Sequence, residues 1–490
     1  MTIYSSPYGS IDISITPVHI DLLSRIDDAI LRNPSKKAFI DGSDHSKFTT
    51  YQQLKDQAHS ISQFLHNIGF IKQTACVVLP NCREFIPFFL GVSLQGGAIS
   101  GASALFTDYE LERQFNDSLC TIVFTDETHL DKVRKATKSS KYIKVYITLS
   151  LLYLNRFPDT IQWNEVISTK VDRNRTPVKI NVKDDVVLLP YSSGTTGSPK
   201  GVMLTHENFG TMMKMFVKCL RMNHENSEEN IDMYEENLLL FLPFYHIYGF
   251  ALTCYTIIEN TTGVILSSFD PILFLQSIQH YKISQMNVVP PILVFLAKHP
   301  MCDKYDLSSL KRIGSGAAPA GKDICDELMK RYPNIKYVQQ GYGMTELSTA
   351  SHLPDEGSGK KFGSCGKLAP GLQMKIVCIS TGKILPLGES GEICIKGPTV
   401  MKGYLGREDA TNECIKDGWM YTGDIGYCDE DGDLFIIDRL KELIKVKGLQ
   451  VPPAELEDIL LSHPLISDAA VIGIPDKKHG ELPKVNIISS

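Results

Sequence analysis

The densest run of chemistry-bearing residues is LLPYSSGTTGSPKG, residues 188–201, where Ser192, Ser193, Thr195, Thr196 and Ser198 accompany Gly194, Gly197, Gly201 and Lys200. Backbone N–H groups left open by glycine, together with hydroxyls and one ammonium, suit a polyanion because they supply many donors with little steric demand. The spacing is not that of a P-loop. That pattern needs Gly, four residues, then Gly-Lys-Ser/Thr, whereas Gly194 is followed here by Gly197, and Lys200 lies between Pro199 and Gly201. Standing alone, the stretch also reads as a flexible Ser/Gly loop.

Further polar clusters interrupt apolar surroundings: LPFYHIYG (242–249), GSGAAPAG (314–321), QQGYGMTE (339–346), GWMYTGDIGY (418–427) and DRLKELIKVKGLQVPPAELE (438–457). Singly, each has a plainer reading. His246 reads as a satisfied core histidine, Glu346 as a surface carboxylate, Asp424 as a turn residue and KELIKVKG as a charged β-hairpin. In this order they resemble the adenylate-forming superfamily of acyl-CoA and aryl-CoA synthetases, peptide-synthetase adenylation domains and beetle luciferases. The wording of the motifs is most similar to coumarate-CoA ligases and their animal relatives, and the resemblance runs from about Phe48 to the last residue.

The resemblance implies a reaction and a role for each motif. Ser192, Ser193, Gly194, Thr195, Thr196, Gly197 and Lys200 would hold the β- and γ-phosphates of ATP while a carboxylate attacks the α-phosphorus, giving an acyl-adenylate and pyrophosphate. Catalysis would then consist mainly of positioning two anions and neutralising their repulsion. Tyr342 would stack on adenine, with Gly316, Ala317, Gln340 and Gly341 lining that slot, and Thr345 would hydrogen-bond the α-phosphate. Glu346 would ligate Mg²⁺, a cation that takes few protein oxygens and leaves its other positions to phosphate and water. Asp424 and Arg439 would hold the ribose hydroxyls, a task for an acceptor pair and a planar donor. His246 would face the acyl pocket and orient the carboxylate, with Tyr248, Phe250 and Leu347 as candidate walls.

In the second half-reaction the thiol of coenzyme A would attack the adenylate and release AMP. The family does this by rotating a small carboxy-terminal domain about a hinge, here Asp438–Lys441, which would bring the loop Lys445–Gln450 to the site. Lys445 and Gln450 would act there, with Lys447 and Gly448 beside the pantetheine tunnel. The implied activity is ATP-dependent ligation of a hydrophobic acid, aromatic or fatty, to coenzyme A, with Mg²⁺ as cofactor. A nucleotide-binding pseudoenzyme and a luciferase-like oxidation of the adenylate are the alternatives. The family's carboxy-terminal domain continues for a few dozen residues past the position of Ser490 and normally carries there a lysine that contacts the carboxylate and α-phosphate. The 490 residues given are therefore expected to adenylate poorly.

A scaffold must position these motifs, and its pattern is visible from Phe48 onward. TTYQQLKDQAHSISQFLHNIG (49–69) sets Leu54, Ala58, Ile61, Leu65 and Ile68 on one helical face with Gly69 as a stop, and ACVVL (75–79) follows as a buried strand. Another helix is expected from near Asn81. Thr107 and Glu110 form a capping box for a helix through Phe115, and CTIVFTD (120–126) is the next strand. Such alternation predicts α/β layers with parallel sheets. Beyond about residue 360 short strands separated by glycine-rich turns predict a β-rich region. The expected fold is α/β: a large multi-layer amino-terminal domain with a small β-rich subdomain over 1–437, then an incomplete α+β carboxy-terminal domain over 438–490.

Bulk properties exclude other classes. At 490 residues the chain exceeds a single core and predicts two or three domains. A net charge of −6 leaves no electrostatic footprint for nucleic acid or an anionic membrane. The basic run 132–144 reads as a solvated helix face and the acidic run 224–237 as a surface loop. Twelve cysteines without a C-x-x-C pair, and an amino terminus without signal-peptide regions, predict a reducing intracellular compartment, cytoplasmic or peroxisomal, although no peroxisomal carboxy-terminal signal is present. FLPFYHIYGFALTCYTII (241–258) approaches the length of a membrane span, but Pro243, His246 and three tyrosines make it a buried core segment, and no transmembrane helix is predicted. The partners expected are small molecules, with no carrier-protein domain in the chain.

Overall fold

The computed structural model describes residues 2–150, 159–192, 199–225, 232–318, 321–354, 361–446, 449–451, 453–461, 463, 465–476 and 480–489. Among them a mainly parallel sheet forms the centre of the amino-terminal half. Its strands run in the order Tyr191–Ser192, Lys200–Thr205, Val186–Leu188, Ala98–Ala102, Thr74–Val78, Ile122–Asp126, Val145–Leu149 and Ile161–Gln162. The first three are antiparallel, so this edge of the sheet delivers both ends of the hydroxyl-rich loop. A second sheet joins Asn237–Leu240, Thr262–Ile265, Lys37–Asp41 and Phe48–Thr50. A third, fully parallel, holds Gln285–Val288, Arg312–Ser315 and Tyr337–Gln340 side by side.

The β-rich region lies where the glycine-rich turns predicted it. An antiparallel sheet runs Tyr4–Ser5, Gln373–Val377, Gly391–Lys396, Trp419–Cys428, Asp433–Arg439, Ser364–Leu368, His352–Leu353. After Arg439 the chain builds a separate antiparallel sheet, in the order Leu449–Val451, Ile444–Val446, Gly480–Ser489, Ile466–Asp476, beside the helix Pro453–Leu461.

Local sequence logic accounts for the helices that brace these sheets. Tyr51–Asn67 starts at a capping box in which Thr50 Oγ1 accepts from the Gln53 N–H at 3.1 Å and Gln53 Oε1 accepts from the Thr50 N–H at 2.9 Å. A cap of this kind contributes about 1 kcal/mol. Leu54, Ala58, Ile61 and Leu65 are buried as their spacing requires, whereas Ile68 falls on the C-cap and is 40% exposed. Thr107 and Glu110 cap Asp108–Asp117 reciprocally. The apolar segment after His246 is the buried helix Ile247–Ile258, and no helix among the described residues is long and apolar enough to cross a membrane.

The helix expected near Asn81 begins instead at Phe85. Asn81 is committed elsewhere: its Nδ2 donates to the carbonyls of Leu242 at 3.0 Å and Leu266 at 3.3 Å, and its Oδ1 accepts from the Phe244 N–H at 2.9 Å. One buried amide thus ties the turn after Thr74–Val78 to the segment that carries His246. Of the basic run, Lys132 donates to the Ala104 carbonyl, while Val133 and Ala136 are buried on the inner face of Leu130–Thr137. Residues 226–231 of the acidic run lie outside the described residues.

Two buried histidines lock the first helix to the core. His206 Nδ1 accepts from the Val18 N–H at 3.1 Å, His19 Nδ1 meets Ser93 Oγ at 2.9 Å, and the rings meet edge-on at 5.9 Å. Burial lowers the His19 pKa to about 3 and that of His206 to about 4. Both are depressed, so below about pH 6.5 the unfolded chain binds protons that the folded chain refuses, and stability falls as pH drops toward the folded values. His206→Asn, which keeps an acceptor for the Val18 N–H, is expected to flatten the loss of denaturation midpoint between pH 7 and 5. An unchanged slope would remove His206 as its source.

Candidate active site

A cavity of about 1270 Å³ opens where the parallel three-stranded sheet, the edge of the central sheet and the β-rich sheet converge. At one end stands the hairpin that flanks the hydroxyl-rich loop. Tyr191–Ser192 pairs with Lys200–Thr205, and Gly403–Tyr404 pairs with the outer side of Val202 and Met203. Ser193, Gly194, Thr195, Thr196 and Gly197 lie outside the described residues; Ser192 and Lys200, which flank them, line the cavity. Glu346, on the short turn Thr345–Leu347, reaches the same point although it is only 2% exposed. Its Oε1 accepts from Ser192 Oγ at 2.8 Å and from the Tyr404 hydroxyl at 2.9 Å. Thr345 lines the cavity beside it.

The adjoining wall is a second carboxylate–phenol pair. The Tyr342 hydroxyl donates to Asp424 Oδ2 at 2.7 Å, and Arg439 Nε lies 3.6 Å from Asp424 Oδ1, directly across the strand pair that matches Asp424 with Arg439. Burial raises the Asp424 pKa, opposed by the Tyr342 hydrogen bond and Arg439. The backbone that presents Tyr342 and Glu346 is tightly folded. A Cβ on Gly343 would fall 1.8 Å from the Thr349 carbonyl oxygen, and Ser348 and Thr349 take φ of +63° and +138°. For a β-branched residue the latter is a true outlier, of the kind that clusters at functional sites.

Gly316, Ala317 and Gly341 line this part of the cavity, but Gln340 does not. Along Tyr337–Gln340 successive side chains alternate, so Tyr337 and Gln339 face the cavity and Gln340 is turned away into the interior.

The far end is largely apolar. His246 is the N-cap of Ile247–Ile258, its Nδ1 accepting from the Tyr248 N–H at 3.3 Å. His246 lines the cavity while keeping an exposed surface, and desolvation lowers its pKa. Tyr248, Ala251, Leu252 and Tyr255 follow at helical spacing along the cavity wall, opposite Met286 and Ile313, with Phe216 and Leu238 beyond. One polar pair interrupts the wall, the Tyr248 hydroxyl donating to Asn287 Oδ1 at 3.1 Å. Phe250 and Leu347, expected as walls, are core residues. Phe250 lies on the opposite face of its helix, against Phe89 at 4.8 Å and Phe209 at 5.6 Å, and Leu347 is fully buried. Lys445 and Gln450 are backbone register partners in the hairpin Ile444–Val446 with Leu449–Val451; Lys447 and Gly448 lie outside the described residues.

A family model described as AMP-binding enzyme matches residues 26–405, and one described as AMP-binding enzyme C-terminal domain matches 455–489. The chain belongs to the adenylate-forming superfamily. Its acyl- and aryl-CoA ligase branch is indicated by 4-coumarate–CoA ligase 2 of Nicotiana tabacum, 39% identical over 97% of this chain and 86% of that protein. The 4-coumarate–CoA ligase 2 of Petroselinum crispum is 38% identical over 96% and 85%. Among solved structures, ATP-bound MatB from Rhodopseudomonas palustris superposes with a TM-score of 0.83 at 25% identity, covering 97% of this chain and 89% of that one. The o-succinylbenzoate CoA synthetase of Bacillus subtilis with its acyl-adenylate gives 0.78 at 26%, with the same coverages. The superfamily's division into a large amino-terminal and a smaller carboxy-terminal domain is the division seen here.

Sequence reading missed Tyr404 and most of the apolar wall. The wall had a signal, since Tyr248, Ala251, Leu252 and Tyr255 repeat at i, i+3, i+4 and i+7. The pKa of Asp424 supplies a test of its expected role toward the nucleotide. Because it is raised, the stability linked to it is present below the ordinary carboxylate value near 3.9 and is lost as pH rises through the folded value, so the ionised group burdens the empty protein at neutral pH. Asp424→Asn should therefore hold or raise the melting temperature at pH 7.5 while weakening adenosine-nucleotide binding about 10-fold or more, as expected when a charged hydrogen-bonding partner is lost. Calorimetry showing wild-type affinity would remove Asp424 from the nucleotide site.

Proposed function

We propose that this protein is an ATP-dependent acid–thiol ligase that activates a hydrophobic carboxylic acid, aromatic or fatty, as its acyl-adenylate and passes the acyl group to coenzyme A. The observation that carries this reading is that one cavity joins a hydroxyl-and-lysine hairpin, two buried carboxylates and an apolar pocket capped by a histidine. A triphosphate, a nucleoside and an acyl chain need these three environments in contiguity, because the reacting atoms must be held together for in-line attack. The coumarate-CoA ligase relatives favour an aromatic acid, and the pair of Tyr248 and Asn287 would accommodate a polar substituent on it.

Within this reading Ser192, Lys200 and the intervening loop bind the β- and γ-phosphates, and Thr345 contacts the α-phosphate. Tyr342 packs on adenine, its plane fixed by the bond to Asp424, and Asp424 and Arg439 hold the ribose. His246, whose pKa desolvation lowers, orients the acid's carboxylate through a ring nitrogen. Glu346 suits Mg²⁺: it is a hard oxygen donor, Oε1 is already hydrogen-bonded, and no hydrogen bond engages Oε2 among the described residues. When bound, Mg²⁺ supplies charge neutralisation for the phosphates. We also propose that the domain boundary falls after Ile437, with Asp438–Lys441 as the hinge that swings Lys445–Gln450 to the cavity for thioester formation.

A pyrophosphate-exchange assay over a panel of aromatic and aliphatic acids tests the reading. Exchange is expected with hydrophobic acids and should be lost with Glu346→Gln. A protein that binds Mg·ATP and gives no exchange with any acid would overturn the ligase assignment.

A further inference from the structure

Tyr404 has no part in the roles set out above, yet its hydroxyl is one of two donors to the same oxygen of Glu346. Its position is determined from several directions. Gly403 and Tyr404 pair with Met203 and Val202, immediately after Lys200, and the Leu405 N–H donates to the Gly201 carbonyl at 2.9 Å. The Tyr404 N–H donates to Thr411 Oγ1 at 2.9 Å, and a Cβ on Gly403 would crowd the Thr411 methyl at 2.9 Å, so the strand and the helix Glu408–Cys414 grip each other. The same segment reaches Glu346 through its backbone: the Met401 N–H donates to the Glu346 carbonyl at 2.8 Å. The segment from Met401 to Leu405 therefore bridges the strand that begins at Lys200 and the carboxylate, at main chain and side chain together.

A phenyl ring would fill this space equally well. The hydroxyl adds direction, because it and Ser192 Oγ both donate to Oε1 and fix the carboxylate plane. Lys200 Nζ lies 5.4 Å from the centroid of the Tyr404 ring, so the loop's ammonium also approaches this tyrosine. We propose that Tyr404 is a positioning residue for the divalent cation that accompanies ATP: it holds Glu346 by Oε1 and so presents Oε2 to the ion, coupling the metal ligand to the phosphate loop. This rests on Glu346 being the metal ligand. Outer donors of this kind pre-set ligand orientation, and their loss typically costs 10–100-fold in metal affinity.

The experiment is a Mg²⁺ titration of ATP binding by calorimetry for the wild type, Tyr404→Phe, Glu346→Gln and the double variant, with thermal unfolding as the check on folding. Tyr404→Phe is expected to need about 10-fold more Mg²⁺ for half-maximal enhancement of ATP binding, with metal-free ATP affinity unchanged. In the Glu346→Gln background it should add nothing. If Glu346→Gln keeps the wild-type Mg²⁺ dependence, the metal-ligand reading fails and the role of Tyr404 with it. If Glu346→Gln loses the dependence but Tyr404→Phe retains the wild-type midpoint, or if its effect persists undiminished in the double variant, the positioning role alone is overturned. Should Tyr404→Phe not fold, Ser192→Ala removes the other donor to Oε1 from a different element. It must then shift the Mg²⁺ midpoint in the same direction, and an unshifted midpoint overturns the proposal.

Discussion

The bond from two hydroxyls to a single carboxylate oxygen, Glu346 Oε1, sets the terms for the surrounding structure. A carboxylate this deeply buried costs several kcal/mol unless donors replace the water it has lost. The donors come from Ser192, 154 positions upstream, and Tyr404, 58 positions downstream. No local structure can bring such residues together. The central sheet has to place its antiparallel edge beside the turn after Tyr337–Gln340, and the strand Gly403–Tyr404 has to cross back to that edge. The pair of Tyr342 and Asp424, 82 positions apart, repeats the same solution a short distance along the cavity.

Both solutions require backbone that cannot relax. Between Tyr342 and His352 the chain folds back on itself, the Tyr342 N–H donating to the His352 carbonyl and the His352 N–H to the Tyr342 carbonyl. Inside that closure sit Gly343, with no room for a side chain, and two non-glycine residues at positive φ. Backbone in such regions costs of order 1–3 kcal/mol per residue and persists only where the surroundings over-determine it. Here they do: Ser348 Oγ donates to the Thr399 carbonyl at 2.7 Å, and Leu347 is buried beneath the turn. The burial of Leu347, which makes it useless as a pocket wall, is thus part of what holds Glu346 in place.

How much of this was legible in the sequence depends on how far apart the cooperating residues lie. Helices with caps and a buried stripe, such as Tyr51–Asn67 and Asp108–Asp117, follow from neighbours within one or two turns, and they were read nearly to the residue. The motifs announced themselves because several conspicuous residue types occur within a dozen positions. Asn81 did not, because its partners are the main-chain groups of Leu242, Phe244 and Leu266, and a carbonyl has no sequence signature. Tyr404 was invisible for the same reason, since nothing in its own neighbourhood distinguishes a tyrosine that binds a distant carboxylate from one that packs. The exchange of Gln339 for Gln340 at the cavity has a different origin. Motif wording carries no face assignment, and in a strand one position is enough to reverse it.

An electrostatic imbalance in the cavity accompanies carboxylates that are held mainly by neutral donors. Glu346, Asp424 and Glu392 all line the cavity, and burial raises the pKa of Asp424 and Glu392. A strong salt bridge to each would relieve this, but a lysine or arginine locked onto Glu346 would occupy the position and satisfy the charge that the proposed divalent cation would have to meet. Phenol and serine hydroxyls donate a hydrogen bond while leaving the formal charge intact. The cation beside Asp424, Arg439, sits at 3.6 Å and is half exposed, so it is a weak partner that can be given up. The site therefore keeps its negative charge available at a cost in stability, which is the condition under which the proposed cation and nucleotide would gain the most from binding there.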